Sequence, residues 1–273
     1  MGIAGYVFCL WLFAPVAVSI DNPPDRLQDG LQGPVKTVEW RVQEMDKKQD
    51  EILWRPAYLW KQVIYDESGN KTEEQRFDEN GNQVDSISYK PSRNKKRMEQ
   101  EWTDKAGGKT YFHQEFDFQG KILSEKYLDA SRRLIRRWIY EWQPGENYDL
   151  VSVYEADGKR TGQGRWYYDS RWRVIRKTGT GMDAAYAYDD QGRLSRSEQK
   201  QANGTWIIEY QEGRETKKSV SLTGRTAWTA IFRYEDDKRG NWIKQTEIVL
   251  SPPGQTPPET EVRRVLRAVE YYP

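Results

Sequence analysis

One histidine, His113, and one cysteine, Cys9, bound the chemistry open to this 273-residue chain. A Ser–His–Asp triad would need His113 as its base, and no Gly-x-Ser-x-Gly elbow supplies it with a nucleophile. Zinc held by nitrogen and sulfur ligands needs several His or Cys, which the chain lacks. His113 therefore reads as a strand residue facing water or a neighbouring carboxylate. Acid groups are plentiful, with 42 Asp plus Glu, so a glycosidase-like carboxylate pair is conceivable. Most recognisable Asp residues fall in turn signatures, however, and no spacing matches an EF-hand loop. Gly179-Thr180-Gly181-Met182-Asp183-Ala184 fits the loose dinucleotide pattern. A strand and a corner follow where a helix would have to point at the pyrophosphate, and the motif is rejected. No catalytic residue, metal or cofactor is assigned, and the expectation is a protein that is not an enzyme.

Aromatic residues offer a different chemistry. The chain carries 12 Trp, 17 Tyr and 7 Phe. Trp138, Tyr140 and Trp142 alternate onto one side of a strand, and with Trp166 and Trp172 they form a candidate binding surface. Flat rings cover the faces of sugars well, which points to a glycan. Their plainer role is to cover the sheet. Arg132-Arg133-Leu134-Ile135-Arg136-Arg137 precedes Trp138, and Lys95-Lys96-Arg97 lies upstream. Basic residues among aromatics can hold single-stranded nucleic acid. The net charge of +1 argues instead for solvated strands with cross-strand ion pairs and Arg–Trp stacking. The expected partner is a protein or glycan of the cell envelope, not a nucleic acid.

These residues must be positioned by a repeated element. Tyr65-Asp66-Glu67-Ser68-Gly69-Asn70 is followed 12 residues on by Phe77-Asp78-Glu79-Asn80-Gly81-Asn82, and Tyr89 stands 12 further. Asp favours the first position of a type I turn, because its carboxylate accepts a backbone N–H two residues on. The residue after the turn must turn left-handed to form a small bulge, which glycine does without steric penalty. Asp66, Gly69, Asp78 and Gly81 meet those demands. So do Asp117 with Gly120, Gly158, Asp189 with Gly192, and Gly240. At Asp169 the pattern persists with Trp172 in the glycine position, and after Asp129 the glycine is lost. Strand, corner and strand recur about every dozen residues, the signature of an antiparallel meander.

Between corners the segments alternate with period two, as in Val38, Trp40 and Val42 against Thr37, Glu39 and Arg41. The fold class is all-β: a repetitive antiparallel β-hairpin meander forming an elongated curled sheet, an open roll or a spiral. Val262 to Tyr272 is expected to return as the last strand beside Trp242 to Leu250. With 36% hydrophobic and 31% charged residues the chain is polar for a thick globule, yet its aromatic content argues against disorder. Residues 1–19 carry no charged side chain and end in small residues, and are read as an export signal cleaved after Ser19, with an uncleaved N-terminal anchor as the alternative. Residues 20–34 are an extended lead-in, and residues 35–273 one β-repeat domain. Export to the periplasm, cell surface or medium follows, with no membrane span after cleavage and no cysteine left in the mature chain.

At these corners the chain resembles the YD-repeat (RHS-like) proteins of bacteria. The matching units are Tyr65-Asp66 to Gly69-Asn70, Phe77-Asp78 to Gly81-Asn82, Phe116-Asp117 to Gly120-Lys121, Tyr188-Asp189 to Gly192-Arg193, and Gly240-Asn241-Trp242. The resemblance implies a β-rich, exported or surface-associated protein that presents a binding surface or scaffold. Large members enclose a toxin within spiralling sheets. This chain is too small for such a shell and looks like a stand-alone member, with no catalytic residue carried over.

Overall fold

The computed structural model describes residues 25–48, 51–91, 97–117, 121–143, 145–179, 181–222, 225–251 and 259–273. The expected export signal and Gly120 lie outside these residues. One short helix, α1 (Asp25–Gln28), precedes the strands β1 (Val35–Lys48), β2 (Glu51–Trp54), β3 (Tyr58–Tyr65), β4 (Lys71–Phe77), β5 (Gln83–Pro91) and β6 (Arg97–Asp104). Next come β7 (Lys109–Phe116), β8 (Ile122–Leu128), β9 (Leu134–Gln143), β10 (Tyr148–Glu155), β11 (Arg160–Tyr168), β12 (Val174–Gly179) and β13 (Met182–Tyr188). The chain finishes with β14 (Leu194–Gln201), β15 (Gly204–Gln211), β16 (Arg214–Leu222), β17 (Arg225–Asp236), β18 (Trp242–Leu250) and β19 (Glu259–Tyr271).

From β3 onward every strand pairs antiparallel with the next, as the corner rhythm requires. The sheet does not end as an open roll or spiral, however. β1 lies between β3 and β19, pairing Val38 with Val63 on one side and with Val269 on the other. β2 pairs only with the far part of β1, from Met45 to Lys48. The remaining 18 of the 19 strands form a closed antiparallel barrel. Closure removes both exposed edges and gives the aromatic face an inside to occupy. The apolar core gathers at this seam, where Val35, Val38, Trp40, Val42, Val63, Tyr65 and Val265 pack around Leu31.

The lead-in is not extended throughout. Residues 25–28 form α1 because the chain there is bound to the end of the barrel. Arg26 N–H donates to Gly69 O at 2.9 Å, and the Asp25 carboxylate accepts Lys71 N–H at 2.7 Å. Leu31 follows as a fully buried plug, and Asn241, also fully buried, accepts Gln32 N–H and donates back to Gln32 O.

The corners that open on Asp share one hydrogen-bond pattern, and the Gly158 corner makes the same backbone bonds with Glu155 in the Asp position. The Asp N–H donates to the carbonyl four residues on, and the N–H of the fourth corner residue donates to the Asp carbonyl, as in Asp78–Asn82, Asp189–Arg193 and Asp237–Asn241. One Asp carboxylate oxygen accepts two further N–H groups, as Asp78 Oδ1 does from Asn80 and Asn82. The side chain after the glycine position, Asn82 or Arg193, closes the clamp on the second oxygen. These bonds hold the Asp78 and Asp189 carboxyls below the usual carboxylate range, led by the side-chain bond. The Asp237 corner, which looks longer in sequence, is the same five residues with β17 extended to Asp236. Glycine at the fourth position has φ between +80° and +85° at Gly69, Gly81, Gly158, Gly192 and Gly240, while Arg132 and Trp172 adopt +62° and +61° there.

Two of these glycines make a controlled comparison. A Cβ on Gly81 meets nothing within 4 Å, whereas one on Gly69 would stand 2.6 Å from Arg26 Cδ. Gly81→Ala should lower stability by about 1 kcal/mol from left-handed strain alone. Gly69→Ala should lower it by clearly more and release α1. Urea melts of the two variants, with amide exchange at Arg26, check this ordering.

Candidate functional site

Register assigns every side chain to one of two faces. Across eight neighbouring strand pairs one row reads Trp142, Asp149, Trp166, Lys177, Ala184, Gln199, Trp206, Val220, Trp228. One residue over, the other face reads Glu141, Leu150, Arg165, Thr178, Asp183, Lys200, Thr205, Ser221. Asp149, Lys177, Ala184 and Val220 of the first row are buried. A barrel wall can screen only its own concave side, so the tryptophan row faces inward. Eighteen strands enclose a space too wide for side chains to fill. The inward Trp142, Trp166, Trp206 and Trp228 are half-buried.

This placement corrects the expected aromatic surface. Trp138, Tyr140, Trp142 and Trp166 are brought together, but on the inner wall. Tyr140 meets Trp166 edge-on at 5.2 Å, and Tyr127 links Phe112 at 4.7 Å to Trp138 at 5.3 Å. Trp172 alone of the five is exposed, at 46%, from its strained corner at the barrel rim, with its ring 4.7 Å from Trp142.

Polar groups punctuate the inner wall, most of them satisfied. Glu125 accepts Tyr140 OH and Gln114 Nε2, each at 2.8 Å. Asp149 accepts Tyr168 OH at 2.7 Å and pairs with Lys121 Nζ at 2.6 Å, and the same ammonium lies 4.2 Å from the Trp142 ring centre. At the seam, burial lowers the Arg267 guanidinium to about 10, and Arg267 lies 4.1 Å from the Trp242 ring centre and 5.3 Å from that of Trp40. Lys177 likewise has no ion pair or hydrogen bond among the described residues, and its ammonium rests 3.6 Å from the Trp166 ring centre and 5.8 Å from that of Tyr186.

The corner tyrosines have a role that sequence reasoning missed. Those at the α1 end point inward, and their hydroxyls reach back to earlier parts of the chain. Tyr188 donates to Val174 O at 2.8 Å, Tyr234 to Glu215 O at 2.7 Å, Tyr168 to Asp149, and Tyr65 to Asp29 at 2.5 Å. Residue type before the corner gives no such signal, since Phe116 stands at a corner of the α1 end and Tyr154 at a corner of the other end.

The outer face carries ion pairs, among them Lys109–Glu101–Lys90, Arg176–Asp183 and Arg196–Glu198–Lys200. His113 lies there with Glu99 Oε2 at 3.1 Å, beside Arg132. No group of three or more His, Cys, Asp or Glu able to hold a metal occurs among the described residues. No helix among them is long and apolar enough to cross a membrane.

No family model matches the chain, and no curated protein matches it. Among solved structures, it is similar to a porin-like protein from Bacteroides uniformis at 12% identity and TM-score 0.48, over 86% of this chain and 98% of that one. A porin-like protein from Bacteroides vulgatus matches at 11% and 0.39, over 89% and 100% of the two chains. The Tc holotoxin pore of Photorhabdus luminescens matches at 10% and 0.27, over 80% of this chain and 16% of that one.

Burial of the wall's ionisable groups sets an alkaline stability profile. Desolvation lowers the Lys177 ammonium from its ordinary 10.5 to about 8. Between those values the unfolded chain holds a proton that the folded one has lost, so stability rises with pH, by up to about 3 kcal/mol. Desolvation raises the Tyr188 and Tyr234 phenols to about 12. Above pH ~10 the unfolded chain loses those protons first, and stability falls. Denaturation midpoints should therefore rise from pH 8, peak near pH ~10 and then decline, and Lys177→Met should reduce the rise, leaving the part that the desolvated Lys61 supplies, and leave the decline unchanged.

Proposed function

We propose that this chain is an exported, non-enzymatic binding barrel that holds its ligand against the aromatic inner wall. The observation that carries the reading is the sorting of the two faces. A lipid-embedded barrel turns apolar residues outward and polar ones inward. Here the row with Trp142, Trp166, Trp206 and Trp228 faces the lumen, and the row with Glu141, Arg165, Asp183 and Lys200 faces out. Each Lys or Arg on a lipid-facing midplane would cost about 2–4 kcal/mol. An outer face of this composition suits water, and an aromatic inner wall suits a ligand with flat or apolar faces. The uncharged leader supports export, and the aromatic–Asp–Gly corners support a place beside small stand-alone YD-repeat proteins, with a scaffold role as the fallback if no small ligand binds.

A glycan is the second reading, favoured by the exposed Trp172 ring stacked near Trp142 at the rim. Purification without detergent separates the barrel readings first, because a water-facing outer wall predicts a monodisperse protein and a requirement for detergent contradicts it. Calorimetry against oligosaccharides and amphiphiles then reads the ligand class. Trp206→Ala on the inner wall should weaken binding about tenfold, while Tyr167→Ala on the outer wall should leave it unchanged. Loss caused equally by both variants would sink the lumen as the site.

A further inference from the structure

Lys177 is an unusual residue for an inner wall. It is 6% exposed, and among the described residues it has neither an ion pair nor a hydrogen bond. Some wall cations have anionic partners, as Lys121 has Asp149 and Arg76 has Glu74 and Asp85, whereas Lys61 and Arg267 at the seam, like Lys177, rest on aromatic rings. The carboxylate that acts on Lys177 is that of Glu125, which is already engaged by Tyr140 and Gln114. Burying an unpaired ammonium is costly, and a cation–π contact offsets only about 2 kcal/mol of that when desolvated. Lys177 stands on the inward row between Trp166 and Ala184. Around it lie Trp166, Tyr186 and Ala184, and beyond them Trp206, Ile208 and Val220 form an apolar track across β15 and β16.

We infer that Lys177 is the anchor for the anionic headgroup, carboxylate or phosphate, of an amphiphile whose apolar body lies along Trp206, Ile208 and Val220. The inference rests on the lumen-binding reading and names its ligand class. The loosely held proton of Lys177 agrees with it, since desolvation outweighs the attraction of the Glu125 carboxylate. An arriving anion would hold that proton firmly, so binding should take up protons above pH 8.

The test is a headgroup series on one chain length: dodecyl phosphate, dodecanoate, dodecyl maltoside and dodecyltrimethylammonium, each below its micellar concentration, titrated calorimetrically into the full barrel. Both anionic probes should bind at least about tenfold more tightly than the neutral one, and the cationic probe most weakly. Lys177→Met should abolish the preference while retaining binding of dodecyl maltoside, and Lys177→Arg should keep it. A preference shared by dodecyl phosphate and dodecanoate identifies negative charge as the feature read, and a preference for one alone identifies the headgroup. Equal binding of all four probes, or an unchanged preference in Lys177→Met, overturns the anchor but leaves the lumen reading standing. No binding of any probe overturns both.

Discussion

The pairing of the first long strand with the last makes this molecule a barrel. β1 is hydrogen-bonded to β19 from Val35–Tyr271 to Glu44–Arg263, and to β3 on its other side. Without that seam a ribbon of hairpins would leave two free edges and an aromatic face open to water. The apolar residues are concentrated where the constraint acts. Leu31, Val35, Val38, Trp40, Val42, Val63, Tyr65 and Val265 form the core cluster at the seam, and the rest of the barrel has only the thinner cover of its inward wall. Tyr272 N–H to Pro34 O and Tyr272 OH to Tyr65 O fasten the chain's last residues across the same place.

Once the ring is closed, sidedness follows from the period of a strand. A residue and its neighbour lie on opposite faces, so two interleaved rows with different compositions become two different surfaces. The inner row is rich in tryptophan and poor in paired charge around Lys177. The outer row is charged and cross-linked by ion pairs. The same architecture with the rows exchanged would be suited to a membrane, so composition by face, more than strand count, bears on function here.

Much of this was legible in the chain. Asp66–Gly69, Asp78–Gly81, Asp189–Gly192 and Gly240 announced reversals by backbone chemistry that is local, and local chemistry can be read without coordinates. The alternation of Val38, Trp40 and Val42 marked a half-buried strand for the same reason. Closure was not legible, because it joins residues more than two hundred positions apart and no short pattern encodes it. The helix at Asp25–Gln28 was missed because it depends on tertiary bonds to Gly69 and Lys71. The aromatic set Trp138, Tyr140, Trp142 and Trp166 was recognised as a unit, but whether it lies inside or outside depends on curvature, which a period of two does not specify. Lys177 gave no signal at all, since a lysine between Arg176 and Thr178 looks like any solvated strand residue.

The claim on which the rest stands is the seam, and disulfide trapping reads it directly. Glu39 and Ala268 are cross-strand partners on the outer face, whereas Arg264 lies four residues farther along β19. Four residues of strand span about 13 Å, well beyond the reach of a disulfide. In a chain carrying Cys9→Ser, the pair Glu39→Cys with Ala268→Cys should oxidise quantitatively to an intramolecular bond under native conditions, and Glu39→Cys with Arg264→Cys should not. A chain in which neither pair closes, or in which only bonds between molecules form, has an open sheet and no lumen.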